Sequence, residues 1–308
     1  MINQEKGYED VLFHADDYGV TVEQSKRILD CYTQGALNSI SVIPNSPALA
    51  DCLKLLDETD PERKIRRVLH LNFVEGKPAA EASRVSMLVD EKGYFDKSFV
   101  QILKWNFTKR GAEREELKRQ LKAEISAQYA LVSSVNDYHI TAVDAHQHYH
   151  MIPIVLDALL EVIAGDERIK EIRIPVDPLG PWFHTKDLWH KTPVLNFAKW
   201  GILHFFAGST AKKLKAANIE SPMFFGILFT CEMKWDVVEE LLPAYLALAH
   251  KKSRKLELMF HPGNLEASYE LLDSRSKELE SFYMSENRFK EAQCLRQLAL
   301  VRGQNRNF

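Results

Sequence analysis

Ile140 to His150 reads ITAVDAHQHYH, an apolar run interrupted by Asp144 and then by three histidines at alternate positions, His146, His148 and His150. The apolar half predicts a strand over Ile140 to Ala145. If the backbone stays extended beyond Ala145, alternate side chains share one side, so the three imidazoles would face a common centre. Packing has no use for that arrangement. The competing reading of the run, taken by itself, is a solvated loop.

Two distant stretches repeat the pattern. HADDYG, His14 to Gly19, follows the strand-like Val11, Leu12 and Phe13, and VLHLN, Val68 to Asn72, carries His70 inside another apolar run. Each ends a strand with groups able to hold a metal, and the C-terminal ends of strands are where parallel α/β folds gather their chemistry. A metal site accounts for all three stretches.

Around these anchors, strands are predicted over Asp10–Ala15, Leu37–Ile43, Arg67–Phe73, Ile140–Ala145, Ile169–Ile174, Phe224–Phe229 and Lys255–Phe260. Helices fall between them: Thr21–Gln34, opened by the pair Thr21 and Gln24 and stopped by Gly35, then Ala48–Leu56, Ala112–Val132, Ile154–Ala164, most of Pro193–Ala216, and Val237–His250. Seven alternations of strand and helix imply a parallel sheet with right-handed crossovers. Because every candidate residue sits at a strand's C-terminal end, a TIM-like β/α barrel of about seven strands fits better than an open sheet. All 308 residues are assigned to one domain, with an insertion or lid at about 74–111 and a C-terminal helical extension at about 264–308. The loop PVDPLGPWFH, Pro175 to His184, has a composition that can wall a sugar pocket or pack on itself, and Trp200 and Phe205 are expected in the core.

Composition excludes several classes. A net charge of −3 with a pI near 6.4 gives no basic face for nucleic acid or an anionic membrane. No stretch supplies the roughly 18 uninterrupted apolar residues of a span, and the polar opening MINQEKGYED is unlike a secretory signal, so a cytoplasmic location is expected. Cys31, Cys52, Cys231 and Cys294 lack CxxC spacing and read as reduced, structural thiols.

One aspartate with two histidines is a mixed O/N set suited to a borderline divalent cation, and three protein ligands leave positions open for water and substrate. Adjacent Asp16 and Asp17 cannot both point the same way in a regular strand. At a strand end, one can ligate while the other reaches a bound water; the alternative is a capping turn before Thr21.

Taken together, HADDYG, LHLN followed by EGKP at Glu75 to Pro78, DAHQHYH, and MFHPG ending at Gly263 resemble the YdjC-type carbohydrate deacetylases, the family of chitooligosaccharide deacetylases. The resemblance runs from about Val11 to Gly263. It implies a TIM-like barrel and a divalent metal, magnesium or zinc, held by Asp17, His70 and His146. It further implies Asp16 as the catalytic base, with His261 at the same mouth as candidate acid for the departing amine. A homodimer is a family-level expectation. This chain has His14 where the family usually has asparagine, and Ala145 where it usually has serine.

The reaction so implied is hydrolysis of an N-acetyl group on an amino sugar. The metal polarises the carbonyl and acidifies water, and Asp16 takes the proton. His148 and His150 are expected to orient ligands or carboxylates, with direct metal ligation as the alternative. Two other classes share the residues: an iron(II) oxygenase with a facial triad, and a non-catalytic sugar-binding protein.

Overall fold

Seven strands, β1 (Val11–Tyr18), β2 (Ser39–Val42), β3 (Arg66–Leu71), β4 (Ile140–Ala145), β5 (Glu171–Ile172), β6 (Met223–Phe225) and β7 (Leu256–Phe260), form one sheet. The structure is a computed structural model, and it describes residues 8, 10–133, 140–183, 185, 188–266 and 277–304. Every strand pair is parallel and the order is β5-β4-β3-β2-β1-β7-β6. The sheet curls so that its edges meet: Ile172 N–H donates to the Glu220 carbonyl and Glu220 N–H to the Lys170 carbonyl, both at 2.9 Å. This bridge fastens β5 to the segment entering β6, and it does so at the strands' N-terminal end. The expected TIM-like barrel is therefore present as a curled seven-stranded half-barrel ringed by helices.

Among the described residues those helices are α1 (Val22–Thr33), α2 (Leu49–Thr59), α3 (Phe99–Thr108), α4 (Gly111–Ser133), α5 (Pro153–Val162), α6 (Leu179–Phe183), α7 (Val194–Ala216), α8 (Trp235–Lys251), α9 (Lys277–Tyr283) and α10 (Glu286–Gln304). None is long and apolar enough to cross a membrane. Thr21 caps α1 as predicted, its Oγ1 accepting the Gln24 N–H at 3.0 Å. The Gln24 side chain has no partner, so the reciprocal half of the capping box is not made. Neither aspartate of the pair caps this helix. The four cysteines are free, as expected.

Element bounds moved where side chains captured the backbone. The strand expected over 224–229 stops at Phe225, because the buried carboxylate of Asp177 accepts the Gly226 and Leu228 N–H groups, both at 2.6 Å. Gly226, at φ 144, turns the chain away from the ladder there. Phe205, expected in the core, is 77% exposed. The buried face of α7 is set by Asn196, Leu203, Phe206, Thr210 and Leu214, and Phe205 lies one residue, about 100°, off that stripe. Trp200 is half-buried and donates Nε1–H to the Asp177 carbonyl at 3.0 Å. Part of the 74–111 stretch packs on α4. Glu124 accepts the Ala79 and Ala80 N–H groups at 2.8 and 2.9 Å, and Gln120 Oε1 accepts that of Met87 at 2.7 Å.

Candidate metal centre and active site

The pleat of β1 turns His14 and Asp16 to the inside of the barrel and Phe13 and Ala15 to the helices. Asp17 would then face outward, away from Asp16, but a bulge intervenes. Ala15 pairs with Ile40 and Tyr18 with Val42, so Asp16 and Asp17 together oppose the single residue Ser41. Asp17 sits at φ 65, the left-handed conformation that carries the extra residue. The bulge lets two neighbouring carboxylates enter one site.

On the facing strands, His70 of β3 and Asp144 of β4 are register partners. His70 Nδ1 lies 2.7 Å from Asp144 Oδ1, which fixes the ring with Nε2 turned toward Asp17 Oδ1 at 3.5 Å. His146, the residue after β4, places Nδ1 at 2.9 Å from the same Asp17 oxygen. Asp17, His70 and His146 are all buried and offer ligand atoms within 4.8 Å of one another. The Nε2 atoms of His70 and His146 have no hydrogen-bond partner, although burial makes an unpaired nitrogen costly. An O/N donor set with His70 Nε2 orphaned beside Asp17 and a carboxylate behind that imidazole fits a borderline divalent cation. Burial alone would lower His70, but Asp144, followed by Asp17 and Asp16, raises it to about 10, so a cation taking Nε2 displaces a proton.

Asp16 is held from the side. Arg173, just past β5, donates Nη1–H to Oδ2 at 2.9 Å and Nη2–H to Oδ1 at 2.8 Å. Its Nη2 also lies 2.8 Å from Asp144 and its Nε 2.5 Å from Glu257. Burial pushes the Asp16 carboxyl up, but Arg173 and the His14 hydrogen bond hold it well below the usual range. His14 lies 3.2 Å from Asp16 and bridges Ser39 and Ser41 at 2.7 and 2.6 Å, so the departure from asparagine is absorbed into the network. His261, at the end of β7, brings Nε2 to 3.8 Å from Asp16. Burial pulls it down to about 4, a neutral imidazole.

The extended reading of the histidine run fails beyond Ala145. Gln147 and His148 take left-handed angles, φ 48 and 61, inside a 3-10 turn over His146–Met151. Only His146 of the three therefore joins the cluster. His150 Nε2 pairs with the Arg173 carbonyl at 2.8 Å, and His148 is buried nearby with its ring 6.5 Å from that of His150. In the aromatic loop, Trp182 stacks on Trp189, just beyond it, with ring centres 5.2 Å apart; His184 lies outside the described residues. A cleft of 1430 Å³ runs beside α7, from Asp10, Pro222 and Lys255 to Ile174 and Asp177 past β5, and none of the clustered residues lines it.

Sequence reasoning missed the residues that hold the candidate ligands. Asp144 was inside the quoted stretch without a role. Glu257 was the charged residue of the otherwise apolar run Leu256 to Phe260, a signal available but unused, whereas Arg173 shared its predicted strand with Lys170 and Glu171. Arg288 and Glu291 lay in the helical extension, with nothing local to mark them: Arg288 reaches Asp17, and Glu291 accepts the backbone N–H of His261. Glu75, from EGKP, accepts the Tyr283 hydroxyl at 2.5 Å and lies 3.5 Å from His146 Nε2.

The chain is similar to known proteins. A carbohydrate deacetylase of Thermoanaerobacter pseudethanolicus is 28% identical over 152 residues, 49% of this chain and 55% of that protein. One from Xenopus laevis is 26% identical over 270 residues, 80% of this chain and 79% of that protein. A crystal structure from Enterococcus faecalis, described as a candidate cellobiose-phosphate cleavage protein, superposes with a TM-score of 0.64 at 17% identity, covering 96% of this chain and 94% of that one; it bears on the fold alone. The family model described as YdjC-like protein matches residues 10–301, from the strand that carries the aspartate pair to the helix that carries Arg288, and the chain belongs to that family.

Proposed function

We propose that this chain is a metal-dependent carbohydrate deacetylase that hydrolyses the N-acetyl group of an amino sugar or short oligosaccharide, in the cytoplasm. The observation that carries the reading is the convergence of Asp17, His70 and His146, with the ionised carboxylate of Asp16 beside them, in a chain whose relatives are named carbohydrate deacetylases. The donor set admits magnesium or zinc. When bound, such an ion polarises an acyl carbonyl and makes water acidic enough to lose a proton near neutral pH.

The chain's own groups divide the remaining work. Asp16, kept anionic and aimed by the two N–H groups of Arg173, accepts the proton of the attacking water. His261 is neutral at rest, so it must gain a proton before it can give one to the departing amine. Asp16, 3.8 Å away, is placed to supply it. Asp144 keeps His70 in the tautomer that presents Nε2.

The test is acetate release across a panel of N-acetylated mono- and oligosaccharides, with metal-stripped protein as control. Acetate that appears only with a restored divalent ion is the expected result. Absence of acetate from every sugar with metal-replete protein would overturn the reading.

A further inference from the structure

Arg288 stands in the first turn of α10, in the sequence ENRFKEAQ, where nothing local marks it as different from any solvated arginine. It is nevertheless 1% exposed. Its guanidinium lies 4.2 Å from the ring centre of Phe282 and 4.5 Å from that of Tyr283. An apolar side chain would fill that slot at less cost, because a buried cation must recover its hydration from specific partners. The partner is Asp17. Arg288 Nη2 donates to Asp17 Oδ2 at 2.5 Å, and Nη1 lies 3.4 Å from the Gly263 carbonyl.

The two oxygens of Asp17 are thereby divided. Oδ1 faces His146 and His70, and Oδ2 is taken by the arginine. Gly263 itself is fixed: it holds φ 83, and a Cβ there would stand 2.9 Å from the Gln24 carbonyl oxygen. One turn along, on the same face of α10, Glu291 accepts the His261 N–H. The C-terminal helix thus reaches the candidate ligand and the candidate acid with two residues three apart.

We propose that Arg288 is a positioning residue of the metal centre: by occupying Oδ2 it confines Asp17 to one-oxygen ligation and keeps the ion's remaining positions open. The inference rests on the metal-site reading above, and not on the identity of the sugar. Two alternatives make different demands. A guanidinium that acted only as a repelling charge would weaken metal binding, so its removal would tighten it. A guanidinium that only packed would leave the ion's coordination untouched when replaced by a side chain of similar size.

The experiment is a cobalt(II) titration of the metal-stripped full chain, read by visible absorption, in wild type, Arg288→Met and Arg288→Lys. In Arg288→Met the dissociation constant is expected to rise about 10- to 100-fold, the usual cost of losing a residue that orients a ligand. Its visible extinction is expected to fall, because a freed Oδ2 can add a second bond and raise the coordination number, a gain that offsets the lost orientation only in part. Arg288→Lys, which keeps the charge but offers a point donor in place of a planar fork, is expected to fall between. Millimolar guanidinium added to Arg288→Met is expected to return both readings toward wild type. Equal or tighter binding with the wild-type spectrum in Arg288→Met overturns the proposal. If circular dichroism shows that variant unfolded, wild-type affinity and spectrum in Arg288→Lys overturn it instead. A wild type that binds no cobalt overturns both this inference and the metal reading, whereas one that binds cobalt yet releases no acetate overturns only the proposed reaction.

Discussion

Arg173→Met, studied in chelator-treated protein so that no bound ion masks the effect, should remove the one guanidinium that joins Asp16, Asp144 and Glu257 inside the barrel. Arg173 and its three partners are each 2–3% exposed or less in their side chains, so water cannot replace it. Four charge-assisted contacts at about 1.5–3 kcal/mol each would sum far too high, since they share one group and are not additive. The measured cost of stripping one partner from a buried ion pair, about 3–5 kcal/mol, is the better guide. At a urea slope of about 3 kcal/mol per molar for a chain of this size, the midpoint should fall by about 1 to 1.7 M.

The loss should also depend on pH in a stated direction. Arg173 holds Asp16 and Asp144 below their ordinary range against the upward push of burial, so in the wild type their stabilisation is complete above the unfolded carboxylate value near 4 and fades below it. In the variant, burial acts unopposed by the arginine and the carboxyls protonate more readily, which relieves the unpaired charge as the solution is acidified. The difference between wild type and variant should therefore be larger at pH 8 than at pH 5. Urea unfolding at both values checks it. A difference under about 1 kcal/mol that is equal at the two pH values would mean that Arg173 contributes only packing.

Other outcomes follow from the same geometry. Asp16→Asn should keep its metal by elemental analysis and lose acetate release by about 10²-fold or more, whereas Asp17→Asn should lose both; the reverse pattern would exchange their roles. His261→Ala should lower the maximal rate by about 10²-fold with metal content unchanged, and an unchanged rate would return it to a structural part. Asp144→Asn should weaken metal affinity by about 10- to 100-fold in a direct titration although all three ligands remain, and wild-type affinity would show that the Asp144–His70 contact does not orient the ring.

The barrel was legible because its strands are buried on both faces and so read as short apolar runs between helix patterns. Ile140–Ala145 came out at its observed bounds for that reason. The short strands were misjudged where the chain leaves the ladder for a side chain: β6 ends at the carboxylate of Asp177, about fifty residues earlier in sequence, and no local pattern marks that. The left-handed turn at Gln147 and His148 was equally hidden, since neither residue announces it as glycine would.

The candidate site divides along the same line. A metal site was legible because its candidate ligands stand at strand ends, where a polar group after an apolar run has few structural uses; the choice of Asp17, His70 and His146 came from the family resemblance. What holds them was not legible, because Arg173 meets Asp16 across 157 residues and Arg288 meets Asp17 across 271. Such contacts leave no periodicity; they leave only a charged residue where a strand or helix could have done without one. The bulge at Asp16 and Asp17 shows why the two kinds of information depend on each other. A regular strand would have sent the carboxylates to opposite faces, Asp17 among the helices and Asp16 alone in the barrel. With one extra residue in β1 both enter, and two like charges buried in one site are eased when each is paired with a cation. Arg173 serves Asp16 and Arg288 serves Asp17, so the adjacent pair in the functional reading already called for the two arginines that the reading overlooked.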